Sequence, residues 1–180
     1  MGIEREWHEL EYTNWANYTN EYIGTLLNQL NMEWKMAFAQ LFLRLALGIT
    51  YLVPALDRLG AWGPPGSKQV SWGNWSHFST YAHQVMFFLP YRLAEVLAII
   101  ATISELIFGV MLIAGWCTQW VAVGSGLLLL FFALSMAVAF GITSPLNYSV
   151  FTASAASFLL AAIPAYTWSI DALRATGHIK

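Results

Sequence analysis

Charge is what this chain has least of. Only 10% of its 180 residues are Asp, Glu, Lys or Arg, against about 25% in soluble domains, whereas 58% are hydrophobic. A core able to hide so much apolar surface is hard to build at this length, so lipid is the expected solvent. A net charge of −2 supplies no basic footprint and argues against a nucleic-acid partner. The single cysteine, Cys117, rules out an intrachain disulfide, a CxxC pair or a Cys-rich cluster. Redox chemistry within this chain alone would therefore need a bound organic cofactor. There is no GxGxxG or P-loop pattern to support nucleotide chemistry. The opening residues are acidic and aromatic, without a basic start followed by a short apolar run. That pattern predicts no cleavable signal peptide and a first span that serves as its own insertion signal.

Aromatic and apolar residues are abundant instead, with nine Trp, eight Tyr and eleven Phe. Four runs have the roughly 20 mainly apolar residues that cross about 30 Å of hydrocarbon: residues 36–56, 93–114, 119–140 and 148–166. Trp34, Tyr91, Trp116, Trp120, Tyr148, Tyr166 and Trp168 crowd their ends as interface anchors do. The connections at 115–118 and 141–147 are short, so the later helices must alternate in direction. The predicted fold is an all-α membrane protein, a four-transmembrane-helix up-down bundle over residues 36–180. An amphipathic helix in residues 1–35 precedes it, and a long aromatic loop, residues 57–92, joins helices 1 and 2.

In the amino-terminal segment Trp15, Tyr18, Tyr22, Leu26 and Leu30 recur at helical spacing. Its other face is acidic, which argues against charge-driven binding to an anionic membrane. Docking on the bundle, on a second copy in a homo-oligomer, or on a partner subunit is expected instead. In the loop, Gly63-Pro64-Pro65-Gly66 is followed by Trp72, Trp75, His77, Phe78, Tyr81 and His83. That aromatic density predicts order, with a short helix between Trp75 and Phe88 lying over one end of the bundle. Arg5, Lys35, Arg174 and Lys180 outnumber Arg58, Lys68 and Arg92, which favours cytoplasmic termini for a multi-pass protein of the plasma membrane.

Two charges lie at the centre of spans, Arg44 in the first and Glu105 in the second. An isolated charge there costs on the order of 2.5–3.5 kcal/mol, so each needs a partner or a polar cavity. Arg44 falls about 3 Å from its span's midpoint and Glu105 about 2 Å from its own, toward the same side. Matching depths predict a buried ion pair in which both stay ionised. Gly48 and Gly109, one turn after each charge, would let backbones or a ligand approach closely. Gly124 and Gly126, with the run from Ala153 to Ser157, form a small-residue surface for helix contact.

A second polar group gathers where helix 1 ends and helix 2 begins. Asp57 and Lys68 are expected to snorkel to the membrane surface. Arg58 and Arg92 are a pair of cations suited to an oxyanion, and Arg92 and Glu95 are one turn apart and can pair. His77 and His83 do not share a helical face and no Cys or HExxH pattern joins them, so no metal site is predicted. Either can bond a quinone carbonyl or relay a proton. No span contains a histidine, which removes the usual means of holding haem.

The runs Arg44-Leu-Ala-Leu-Gly48, Asp57-Arg58-Leu59, Glu105-Leu-Ile-Phe-Gly109 and Leu112-Ile-Ala-Gly115, with Ser169-Ile-Asp171 after the last helix, resemble the DoxX/DoxD family of four-helix membrane proteins. The resemblance covers roughly residues 38–172. The extended amino-terminal segment and large aromatic loop are most like the DoxD branch. That branch implies a membrane subunit of a thiosulfate:quinone oxidoreductase, working with a DoxA-type second subunit and making tetrathionate. Arg44 and Glu105 match family positions.

On that basis the expected catalytic residues are Arg92, Glu95 and His83, and the expected substrate-binding residues are Arg58, Arg92 and His77. Aromatic walls from Phe78, Tyr81 and Phe87 would hold the quinone, with neither metal nor haem. The competing reading is a non-catalytic membrane anchor or assembly subunit that scaffolds a partner oxidoreductase and binds membrane lipid in the same groove.

Overall fold

Helix α1 runs unbroken from Ile3 to Arg58, carrying Pro54 within its last turns. The structure is a computed structural model that describes the backbone of residues 3–177 and the side chains of residues 18–176. The chain falls into two compact units, Met1–Ala39 and Gln40–Lys180. Within the first, Tyr18, Tyr22, Leu26 and Leu30 are exposed, and Trp34 and Phe38 pack ring to ring at 6.2 Å. Trp15, from the same expected stripe, lies outside the described side chains, as do Arg5 and Lys180.

The second unit contains the carboxy-terminal part of α1 followed by α2 (Trp75–Val85), α3 (Tyr91–Ala114), α4 (Thr118–Phe140), α5 (Thr143–Asn147), α6 (Val150–Ala161) and α7 (Ile170–Gly177). Among the described residues, α1, α3 and α4 are long and apolar enough to cross a membrane. The fourth expected span, 148–166, forms only the twelve-residue helix α6. That helix covers about 18 Å, short of the roughly 30 Å of hydrocarbon. Ser149 enters it from a left-handed conformation, φ +54°. Pro164 bars its continuation, because proline disfavours helical backbone in the residue before it.

The α1–α3 register is set by two glycines. A Cβ on Gly48 would sit 2.6 Å from Ile113 Cγ1 and 2.9 Å from the Gly109 carbonyl oxygen. One on Gly109 would sit 2.7 Å from Leu52 Cγ. The helices touch backbone to backbone there, as small residues in membrane helices allow. Around that contact the core gathers Leu47, Tyr51, Leu112, Val121, Ala122, Leu129 and Leu160. The small-residue face of α4 and α6 also packs as expected. Gly126 lies under the Phe158 ring, its carbonyl accepts from Ser154 Oγ at 2.8 Å, and Gly124 lies under Phe108.

The loop helix is present. Asn74 caps α2 by accepting from the His77 N–H at 3.0 Å, the usual role of an Asn in that position. Phe78, Ser79, Ala82 and Val85 form its buried face, and Phe78 and Ala82 pack with Ala98 of α3.

Candidate functional site

At the end of the second unit that carries α2, the last turn of α1 presents two buried charges. Arg58 Nη1 donates to Glu105 Oε2 at 2.6 Å and Nη2 to Glu105 Oε1 at 3.2 Å. Nη1 also reaches Thr102 Oγ1 at 2.9 Å. Both charged side chains are nearly closed to solvent, 6% and 4% exposed. The guanidinium carbon lies 3.9 Å from the centre of the Phe78 ring and 5.5 Å from that of Trp72. Cation–ring attraction is worth about 2 kcal/mol when both groups are desolvated.

The buried ion pair is therefore Arg58–Glu105, and the expected Arg44–Glu105 pair does not form. Arg44 is fully buried and faces Ile113, eight residues beyond Glu105 on α3, about 12 Å along the helix. Equal distances from estimated span midpoints suggested a match, but the glycine contact decides the register. With Gly48 opposite Gly109, a residue four before Gly48 must lie opposite one four after Gly109.

The same geometry corrects the expected oxyanion site. Arg58 is neutralised and covered, whereas Arg92 is exposed on the first turn of α3 with no hydrogen bond or ion pair among the described residues. Glu95 also takes other partners than the expected Arg92. It accepts from Trp75 Nε1 at 2.8 Å, Ser79 Oγ at 2.5 Å and His83 Nε2 at 3.0 Å. The His83 ring stacks on Tyr91 at 4.0 Å, so α2 is fastened along its length to one carboxylate of α3. His77 lies on the exposed face of α2, its Nδ1 2.9 Å from Asn74 Oδ1.

Of the expected aromatic walls, Phe78 and Tyr81 both pack on Trp72, and Tyr81 also stacks on Phe140 of α4. Phe87 lies apart from them, exposed and against Phe88. Burial pushes the Tyr81 hydroxyl up from its ordinary pKa, with Tyr148 adding to the rise against the opposing pull of Arg58. Trp72, Trp75, Ser79 and Thr102 were not singled out from sequence as binding partners. Thr102 carried a signal, since it precedes Glu105 by one helical turn and so shares its face. Asp57 does not snorkel. It is buried, and its Oδ2 accepts from the Ser71 and Trp72 N–H groups at 3.0 and 2.9 Å.

The opposite end of the second unit has its own polar cluster. Arg44 gives its five N–H groups to carbonyl oxygens of Leu112, Ile113, Thr167 and Trp168. Gly115, at φ +69°, lies against the guanidinium where a Cβ would overlap it. Asp171 accepts from the Cys117 and Thr118 N–H groups, both at 2.8 Å, and so caps the start of α4 from a distant segment. Burial alone would raise the Asp171 pKa, but these bonds and nearby Arg174 outweigh it and hold the carboxyl below its ordinary value. A carboxyl depressed in the folded state stabilises it above the unfolded pKa and loses that effect as pH falls through the folded one. Asp171→Asn is expected to lower stability by about 1 kcal/mol near neutral pH, the scale of a lost cap. Thermal unfolding between pH 3 and 7 should show a flatter acid decline than in the parent; an unchanged profile would remove this role.

Among the described residues, no group of three or more His, Cys, Asp or Glu side chains could hold a metal ion. The α2 end instead offers a neutralised guanidinium under aromatic rings, together with a carboxylate–imidazole pair at the start of α3. No curated protein and no solved structure matches the chain. Residues 39–140, which carry Arg44, the Arg58–Glu105 pair and the whole α2 segment, match the DoxX family model, and the chain belongs to the DoxX family.

Proposed function

We propose that this DoxX-family membrane protein is the quinone-reducing subunit of a thiosulfate:quinone oxidoreductase of the DoxD type, assembled with a DoxA-type partner in the plasma membrane. In the net reaction, two thiosulfate dianions lose one electron each as the central S–S bond of tetrathionate forms. The quinone takes up those two electrons and two protons. The observation that carries the reading is the Glu95–His83 pair, 3.0 Å apart. It is held where α3 enters the apolar layer and lies beside the Trp72–Phe78–Tyr81 group. A carboxylate paired with an imidazole is suited to delivering protons to a reduced ring. Exposed Arg92, one turn from Glu95, is the cation available to a thiosulfate dianion. In this reading α5 and α6 together make the fourth crossing of the bundle, so that both termini share one side, and the balance of Lys and Arg favours the cytoplasm for it.

The test is thiosulfate-dependent quinone reduction by the chain reconstituted with its partner. Glu95→Gln keeps an oxygen for Trp75 and Ser79 but cannot pass a proton, so kcat should fall about a hundredfold or more. Undiminished turnover would remove Glu95 from the chemistry. Absence of thiosulfate-dependent reduction in the wild type would favour the anchor reading. The exposed row Tyr18, Tyr22, Leu26 and Leu30 favours that reading too, since it suits a partner subunit.

A further inference from the structure

We infer that the unused edge of the Arg58 guanidinium receives one carbonyl oxygen of a neutral quinoid ring, bound beneath Trp72 and Phe78 when the α2 segment lifts. A guanidinium has five N–H donors, and Glu105 and Thr102 engage three of those on Arg58. Nε is buried and has no partner among the described residues. Its N–H and the second N–H of Nη2 project side by side from one edge, the fork that guanidinium groups use to hold oxygen acceptors. A buried donor left unmade costs about 1–3 kcal/mol, so this edge stands to gain from an acceptor.

The charge balance decides which acceptor fits. Glu105 already neutralises Arg58, and Asp57, the preceding residue, is a second buried carboxylate. An incoming dianion would meet two negative groups for one cation, whereas a neutral carbonyl takes the free N–H groups without added charge to desolvate. The rings of Phe78 and Trp72 already lie on the guanidinium, and an aromatic face is what a flat ring packs against. Asp57 Oδ1 is also buried without a partner among the described residues, an acceptor for the hydroxyl of the reduced ring.

The edge is closed in this structure, so binding requires the covering segment to move. That segment is fastened to Asp57 through the Ser71 and Trp72 N–H groups and to Glu95 through Trp75, Ser79 and His83.

This inference rests on the quinone reading above, but its test needs no thiosulfate. The full chain in lipid nanodiscs would be titrated with a short-chain benzoquinone and the bound carbonyl stretches recorded by infrared difference spectroscopy. One carbonyl should shift to lower frequency than the other. Arg58→Lys keeps a cation for Glu105 but lacks the Nε–H edge; the shift should vanish and affinity should fall about tenfold, the scale of one hydrogen bond. Equal, unshifted carbonyls in the wild type would overturn the site whether or not the variant folds, and so would a variant that keeps both shift and affinity. A shifted carbonyl without thiosulfate-driven turnover would leave this site standing and remove the oxidoreductase reading. Turnover with unshifted carbonyls would do the reverse.

Discussion

Glu105→Leu is expected to cost about 3–5 kcal/mol of folding stability, because it strands a buried guanidinium. Arg58 has only Thr102 and two aromatic rings to fall back on, and none of these carries a compensating charge. Glu105→Gln should fall between, since an amide oxygen still accepts a bond but leaves the cation unbalanced. The informative companion is the double substitution Arg58→Met with Glu105→Leu. It removes both charges and fills their volume with apolar atoms, an exchange that is often neutral or stabilising for buried pairs. Unfolding midpoints in mixed micelles would measure these three and the Arg58→Met single that completes the cycle, and the double variant should recover most of what Glu105→Leu loses. A single variant as stable as the parent would show that the pair does not hold this end of the molecule. Simple additivity in the cycle would show that the two side chains do not interact. Near-parental stability of the double variant together with lost quinone binding would separate a ligand role for Arg58 from a structural one.

The origin of this pair explains how far the sequence could be read. Hydropathy located α3, α4 and the end of α1 to within a few residues, because a long apolar run has few other uses, but it did not show that α1 starts at Ile3 and carries the amino-terminal segment in the same helix. The expected end of the first span falls two residues short, since α1 continues through Pro54 to Arg58. Aromatic density in the long connection foretold an ordered helix at Trp75, and the Asn74 cap fixes its start. Pairing across helices was a different problem. Midpoint arithmetic assumes that each span is centred on its apolar run, and an error of two turns is enough to exchange one arginine for another. Gly48 and Gly109 held the missing information. Both were noted for close approach, and setting them opposite each other gives Ile113, not Glu105, as the neighbour of Arg44. Asp57 was illegible for another reason. Its partners are backbone N–H groups of Ser71 and Trp72, and a backbone donor leaves no mark in the residue types. The shortened fourth helix follows from Pro164 beyond its end and from the left-handed backbone at Ser149 before its start, which hydropathy alone does not register.

Arg44→Leu should be the other severe substitution, with a loss that falls on a different part of the molecule. Among the described residues Arg44 forms no ion pair with a carboxylate; its guanidinium is solvated by carbonyl oxygens at the end of α3 and in the segment before α7. The end of a helix carries partial negative charge on its unpaired carbonyls, so a cation there completes α3. The same side chain ties Thr167 and Trp168 to it. Leucine would leave buried carbonyls unsatisfied at about 1–3 kcal/mol each, for an expected total of about 3–5 kcal/mol. Arg44→Lys should lose less, because an ammonium can bond one side but lacks the planar fork that spans both. Hydrogen exchange would locate the damage. In Arg44→Leu, amides from residue 167 through α7 should lose protection first, together with the Cys117 and Thr118 amides that Asp171 holds. The Arg58–Glu105 end should stay protected and keep its affinity for quinone. Loss of protection spread evenly over both ends would mean that Arg44 holds the whole bundle, and parental exchange at 167–177 would mean that it holds neither. The two arginines would then have separable duties: Arg44 closes a helix end and docks the carboxy-terminal segment, leaving Arg58, alone of the pair, with an N–H edge to offer a ligand.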